Sequence, residues 1–325
     1  MGQKGNLMIF RPDIKVLDAT IRDGGLVNNF FFTDEFVKAL YEANKKAGGD
    51  YMEFGYKANK DLFDEKVYGK WKFCEEADIR AIVGDNDSDL KIAVMADVGR
   101  TDYRRDILDK KDSVIDMVRV ATYINTIPAA IDMIEYCHGK GYETSVNIMA
   151  VSTANSRDVE QALEMLCKSS VDVIYLVDSY GSLYPEQIRE LTEMYCSVAE
   201  KYGKKIGIHA HNNQQMAFAN TIEAVAFGAS YLDATMMGMG RGAGNCVLEG
   251  LLGFLRNPKY NLVYVLKFIQ NYMLDLKKQG LVWGYDIPYL LTGILNRHPR
   301  TAIDKIKSGD TDYVGYYHDL WDREN

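Results

Sequence analysis

Cysteine is scarce and scattered in this chain: five residues (Cys74, Cys137, Cys167, Cys196 and Cys246) among 325, with no C-x-x-C pair. Their odd number and wide spacing exclude a disulfide framework and a zinc ribbon, and they read as small core residues. Histidine is equally scarce, at five. Long apolar runs are missing too. No window approaches the roughly 18 apolar residues of a membrane span, and the start has no signal-peptide core, so the expectation is a soluble, cytoplasmic protein that does not engage membranes. MGQKGN carries the Gly2 of a myristoylation signal but has Asn6 where Ser or Thr belongs. Positive charge is in deficit: 38 Lys and Arg against 46 Asp and Glu give −8, which argues against a nucleic-acid partner, since phosphate binding needs clustered surplus cations. Runs such as RRDILDKKD (104–112) mix both signs and read as a solvated face.

What the chain does contain is alternation. Short β-branched runs recur at 14–20, 51–56, 91–98, 117–123, 143–151, 171–178, 205–211 and 231–237, and amphipathic stretches separate them. Thr33 is placed to cap a helix that Gly48 stops. Helical patterns follow at 127–141, 156–169, 184–203 (with Pro185 in the first turn) and 214–228, and Gly141, Gly203 and Gly228 sit where helix C-caps belong. Strands rich in Val and Ile that alternate with helices imply a parallel sheet covered by helices. Eight such units fit a closed (β/α)8 barrel, a TIM barrel, better than an open doubly wound sheet, whose glycine fingerprint the stretch after the first strand does not supply. The reading divides the chain into a barrel over 1–257 and a C-terminal helical extension over 258–325 packed on it.

In such a barrel the working residues lie at the C-terminal ends of the strands. Asp23 follows the first strand in VLDATIRDGG, and His209 and His211 end the seventh in HAHNN. Two histidines at i and i+2 on a strand point to one side, the geometry that grips an ion. Ordinary hydrogen-bonding histidines would look the same, but five histidines in the chain make a chance pair less comfortable. MMGMGRGAGN (236–245) ends the eighth strand; Gly240 and Gly242 let backbone approach a ligand closely, Asn245 offers a carbonyl oxygen, and Asn212 is a further candidate substrate contact. Strands one, seven and eight adjoin in a closed barrel, so Asp23, His209, His211 and Asn245 can meet around one cation. Their mixed N/O donors suit Mn²⁺ or Mg²⁺ and also accept Co²⁺ or Zn²⁺.

DATIRDGG, HAHNN and GMGRGAGN, in this order and on these strands, resemble the metallolyase superfamily of TIM barrels that includes 4-hydroxy-2-oxovalerate aldolase, hydroxymethylglutaryl-CoA lyase and the isopropylmalate and homocitrate synthases. LVDSYGSLYPEQI (176–188) resembles their strand-six segment. The resemblance covers roughly residues 14–255 and implies a divalent metal on Asp23, His209 and His211 that chelates an α-keto acid or its enolate, with Arg22 stabilising the enolate oxygen. It is nearest to the 4-hydroxy-2-oxoacid aldolase branch, where GYDIPYLLTGILNRH (284–298) matches the segment of a catalytic tyrosine at Tyr289. The implied function is a metal-dependent aldolase that cleaves a small 4-hydroxy-2-oxo acid to pyruvate and an aldehyde. The alternatives are an acyl-CoA-dependent Claisen-type synthase of the same superfamily and a non-catalytic barrel that keeps the metal and oxoacid site. A homodimer is an implied assembly, and a partner dehydrogenase is left open by the short C-terminus. One departure matters: the aldolase branch places a histidine base three residues after the metal aspartate, and this chain has Leu26, so either another group such as Tyr289, His298 or a metal-bound hydroxide serves as base, or the reaction differs from the family's aldol cleavage.

Three other signals are set aside. DNDSDLKIAVMA (85–96) starts like a calcium loop but has Leu90 at the required glycine and Ala96 at the bidentate glutamate. Asn86 heads a glycosylation sequon that an intracellular chain does not use. Lys57, after the second strand, would be the Schiff-base residue of a metal-free aldolase, or else a surface lysine beside Lys60.

Overall fold

The computed structural model describes residues 11–322, so Gly2 and Asn6 lie outside the described residues. Eight parallel strands close into a barrel in chain order: β1 (Lys15–Asp18), β2 (Tyr51–Tyr56), β3 (Lys91–Asp97), β4 (Met117–Thr122), β5 (Glu143–Ile148), β6 (Val173–Asp178), β7 (Lys205–Ala210) and β8 (Tyr231–Ala234), with β1 paired to β8. All eight expected strands are present. Helices at Ile127–Gly139, Ser156–Cys167, Pro185–Glu200 and Ala217–Ala226 cover the outside, and Gly141, Gly203 and Gly228 take positive φ at or just past the ends of the preceding helices.

The largest difference from the sequence reading lies after β1. TIRDGG is helical: α1 (Thr20–Asn28) begins where strand was expected to continue. The strand ends because the Asp18 carboxylate accepts the backbone N–H of Thr20 at 2.8 Å and the Asn44 amide at 2.6 Å, which turns the chain. The two glycines let this helix pack closely. A Cβ on Gly25 would meet the Phe30 ring at 2.1 Å, and one on Gly24 the Met239 sulfur at 2.9 Å. Then comes α2 (Asp34–Ala47), capped by the Thr33 hydroxyl at the Phe36 N–H and stopped by Gly48 at φ 76°. Strands β5 and β8 also end earlier than expected. At β8 the chain enters a 3₁₀ turn over Met236–Gly238 in which Met237 takes φ 53°.

Inside the barrel, inward-facing residues form layers drawn from alternate strands. Low in the barrel lie Leu17, Tyr51, Ala93, Met117 and Val173. Above them a layer from the even strands carries Glu53, Arg119, Tyr175 and Asp233, each at most 1% exposed. Tyr175 has room because β7 offers Gly207, where a Cβ would stand 2.6 Å from the ring. Past the helix Leu248–Leu255 the chain is helical to Asp322, and Phe268 docks on α2 with its ring 5.1 Å from that of Phe36. Four of the five cysteines are buried and all are free thiols. Among the described residues no helix is long and apolar enough to cross a membrane.

Candidate metal centre at the barrel mouth

Asp23, His209 and His211 converge: one ligand atom from each lies within 4.8 Å of the others, and all three residues are buried. Helix α1 presents Asp23 in its first turn, and strand alternation carries His209 inward on β7 with His211 just beyond its end. Asn245 joins them, its Nδ2 donating to Asp23 Oδ2. The glycine loop passes directly over these groups, since a Cβ on Gly240 would stand 2.3 Å from Asn245 Nδ2 and 3.0 Å from Asp23 Oδ2.

The histidine is aimed from behind. Asp233 Oδ2 lies 2.9 Å from His209 Nδ1, which leaves Nε2 facing Asp23, the carboxylate–histidine arrangement that orients a metal ligand. Arg119 bridges Asp233 at 2.6 Å and Glu53 at 2.8 Å, and Glu53 holds Arg22 Nε at 2.8 Å. Arg22 in turn lies 3.3 Å from Asp23 Oδ1. One chain of ion pairs thus runs from the barrel centre to the mouth.

Burial works to raise the Asp23 carboxyl, but Arg22 and the two histidines hold it well below its ordinary value. Burial drives His211 well below the histidine range, so its imidazole is neutral and available as a donor. For His209, burial and Arg22 pull downward, and the hydrogen bonds to Asp23 and Asp233 outweigh them to leave it raised. Asp23 Oδ1, His209 Nε2 and Asn245 Oδ1 are buried with no hydrogen-bond partner. Buried polar atoms are rarely left so, and a cluster of them points to a group that completes the site. A divalent cation fits this donor set, with the Asn245 amide turned to present Oδ1.

The other expected site residues are placed around this centre. Tyr289 lies on the helix Ile287–Ile294, and its ring stands 3.0 Å from where a Cβ would sit on Gly242. Burial, assisted by Asp286, raises its phenol above the ordinary value. Asn212 faces the loops: its Oδ1 accepts the Ala217 N–H at 3.1 Å and its own N–H donates to Gly244 O at 2.8 Å. His298 packs edge-on against Tyr180 at 5.6 Å, and burial lowers it to about 4. Leu26 is 38% exposed on α1. Lys57 corrects the surface reading, being 4% exposed, and it lines a pocket with Glu76, Val94, Val118 and Tyr142 on the outer face of the strands, away from the barrel interior.

Several functional candidates escaped the sequence reading. Glu53 and Asp233 were visible as lone acids in apolar strands, but nothing local showed that Arg119 joins them. At the end of β3, Asp97 Oδ1 is buried without a partner, and burial raises its carboxyl against the opposing charges of Lys72, Arg100 and Arg22. The Lys72 ammonium sits 4.2 Å from the ring centroid of Tyr56 and 4.4 Å from that of Phe63, and burial lowers it to about 8.

The HMGL-like family profile matches residues 13–271. An oxaloacetate decarboxylase of Mycobacterium tuberculosis is 29% identical over 254 residues, which cover 74% of this chain and 69% of that protein. A 4-hydroxy-2-oxovalerate aldolase of Bacillus cereus is 27% identical over 279 residues, covering 86% and 78%. Among solved structures, the N-terminal domain of a Bacteroides vulgatus protein assigned as an aldolase superposes with a TM-score of 0.78 at 28% identity, over 90% of this chain and 96% of that one. Hydroxymethylglutaryl-CoA lyase from Pseudomonas aeruginosa shares the fold, with a TM-score of 0.68 at 16% identity over 84% and 95%.

Proposed function

This chain belongs to the HMGL-like family, and we propose that it is a divalent-metal-dependent carbon–carbon lyase that cleaves a small 4-hydroxy-2-oxo acid to pyruvate and an aldehyde. The observation that carries this reading is the buried Asp23, His209 and His211 set, with donor atoms left unpaired at a barrel mouth. The aldolase and decarboxylase named among its relatives support it, because both reactions break the C3–C4 bond of a 2-oxo acid and leave an enolate.

Asp23, His209, His211 and Asn245 would hold the ion, with Mn²⁺ or Mg²⁺ favoured by the oxygen donors and Co²⁺ or Zn²⁺ acceptable. When bound, the ion supplies Lewis acidity at the substrate carbonyl. Arg22, fixed by Glu53 and Asp23, presents its remaining N–H groups to O2 of the substrate, where negative charge builds as the C3–C4 bond breaks and its electron pair passes to the enolate. A proton must leave O4 in the same step. Leu26 cannot take it, the raised Tyr289 phenol favours donation over acceptance, and His298 at about 4 is a weak base. Asp97, made more basic by burial, is the acceptor in this account. Proton return to C3 then gives pyruvate. Tyr289, packed over Gly242, narrows the mouth and keeps water from the enolate.

The test is turnover. Metal-stripped protein reloaded with Mn²⁺ and given a panel of 4-hydroxy-2-oxo acids should release pyruvate, read by coupling to lactate dehydrogenase. Oxalate binding without release of pyruvate from any of them would favour the non-catalytic reading that Leu26 raises.

A further inference from the structure

The loop after β8 brings another guanidinium to the mouth. Gly240 lies against Asp23 and Asn245, so the next residue, Arg241, starts at the edge of the metal centre. Its side chain reaches to the end of β6, where Nη2 donates to the Ser179 carbonyl at 2.8 Å. His211 and Tyr289 lie near enough for its positive charge to act on both. Its Nε is buried with no hydrogen-bond partner, and among the described residues no carboxylate stands within ion-pair distance of the guanidinium. Asp178, which ends the same strand, is turned to the backbone amides of Ser182 and Leu183. A half-buried guanidinium without a counter-charge is costly, and its forked N–H edge matches a carboxylate.

The carbonyl end of a 2-oxo acid would be taken up at the metal centre itself, where Arg22 stands beside Asp23, which leaves Arg241 to meet a different anion. We propose that Arg241 binds a second carboxylate, so that the substrate is a dicarboxylic 2-oxo acid whose far end reaches the β8 loop. This rests on the oxo-acid reading above and narrows it.

Two matched pairs test it by calorimetry on the Mn²⁺-loaded protein: 2-oxoglutarate against 2-oxopentanoate, and 2-oxoadipate against 2-oxohexanoate. None carries a 4-hydroxyl, so the readout is binding alone. The expected result is tighter binding of at least one dicarboxylate than of its partner by about tenfold or more, the scale of a charge-assisted pair. Arg241→Gln should erase that difference by weakening the dicarboxylate alone, and Arg241→Lys should keep part of it. Equal binding within both pairs by the native protein overturns the proposal, as does a preference that survives in Arg241→Gln. If Mn²⁺ binds but none of the four acids does, the oxo-acid reading itself fails, and the second carboxylate site with it.

Discussion

The middle layer of the barrel and its mouth are both buried and both charged, yet they are built on opposite terms. In the layer, Arg119 lies 2.8 Å from Glu53 and 2.6 Å from Asp233, and its guanidinium carbon sits 4.4 Å from the centroid of the Tyr175 ring. Every charge there has its opposite within the protein. Buried atoms without a hydrogen-bond partner occur in both regions, Glu53 Oε1, Arg119 Nε and Asp233 Oδ1 in the layer and Asp23 Oδ1, His209 Nε2 and Asn245 Oδ1 at the mouth. But it is at the mouth that Asp23, His209 and His211 bring ligand atoms within 4.8 Å of one another. The layer also aims the mouth: the Glu53 oxygen that pairs with Arg119 holds Arg22 Nε as well, and the Asp233 oxygen that pairs with Arg119 lies on His209 Nδ1. Buried ion pairs add little net stability over apolar packing, so their use here is best explained by the aim they give the residues above.

The contrast can be broken from the layer first. Arg119→Met leaves two buried carboxylates without a counter-charge and should cost about 3–5 kcal/mol in urea unfolding. Replacing Arg119, Glu53 and Asp233 together by apolar residues of similar volume should cost much less, while Arg22 and His209 lose their orientation. An equal cost for both variants would mean that the charges are not balanced as a unit. At the mouth, Arg22→Ala should leave Mn²⁺ bound but slow solvent exchange of the pyruvate methyl protons by about 10²–10³-fold, the weight of an oxyanion donor; unchanged exchange by NMR would remove Arg22 from the chemistry. Asp233→Asn touches the junction between the two regions. It should weaken Mn²⁺ by about 10–100-fold through the loss of His209 orientation, measured by titration of the metal-stripped protein.

The smallest effect concerns Lys72, whose ammonium is held by rings and not by an ion pair. Its folded value of about 8 lies below the ordinary 10.5, so the unfolded chain binds more protons between those values and stability rises with pH across that window. Lys72→Met should flatten the rise by about 1–2 kcal/mol, since attraction to the rings offsets part of the desolvation. A pH–stability curve parallel to the native one would contradict this.

The barrel was legible because β-branched runs and amphipathic stretches alternate at local scale, and Thr33, Gly48 and Pro185 punctuate them with local chemistry. The ligand trio was legible because its residues sit at strand ends in short motifs. Helix α1 was not. Two glycines depress helix propensity there, and the packing of Gly25 against Phe30 and of Gly24 against Met239 decides the outcome. The ion-pair layer was also hidden, because its partners are 66 and 114 residues apart in the chain and each looks like an isolated charge within an apolar strand. Lys57 misled for a related reason: a lysine after a strand looks exposed until the helix layer closes over it. Arg241 reads as part of a flexible glycine loop until Ser179 is placed beside it.

The central claim is that Asp23, His209 and His211 form one metal site. Its most direct measurement is a Mn²⁺ titration of metal-stripped protein, following the free-ion signal by electron paramagnetic resonance, in the native chain and in His211→Ala. The account predicts one tightly held ion per chain in the native protein and affinity weaker by about 10²-fold or more in the variant, whose circular dichroism stays native because His211 lies at the mouth and not in the packed layers. Native affinity in the folded variant, or no ion taken up by the native chain, would contradict it.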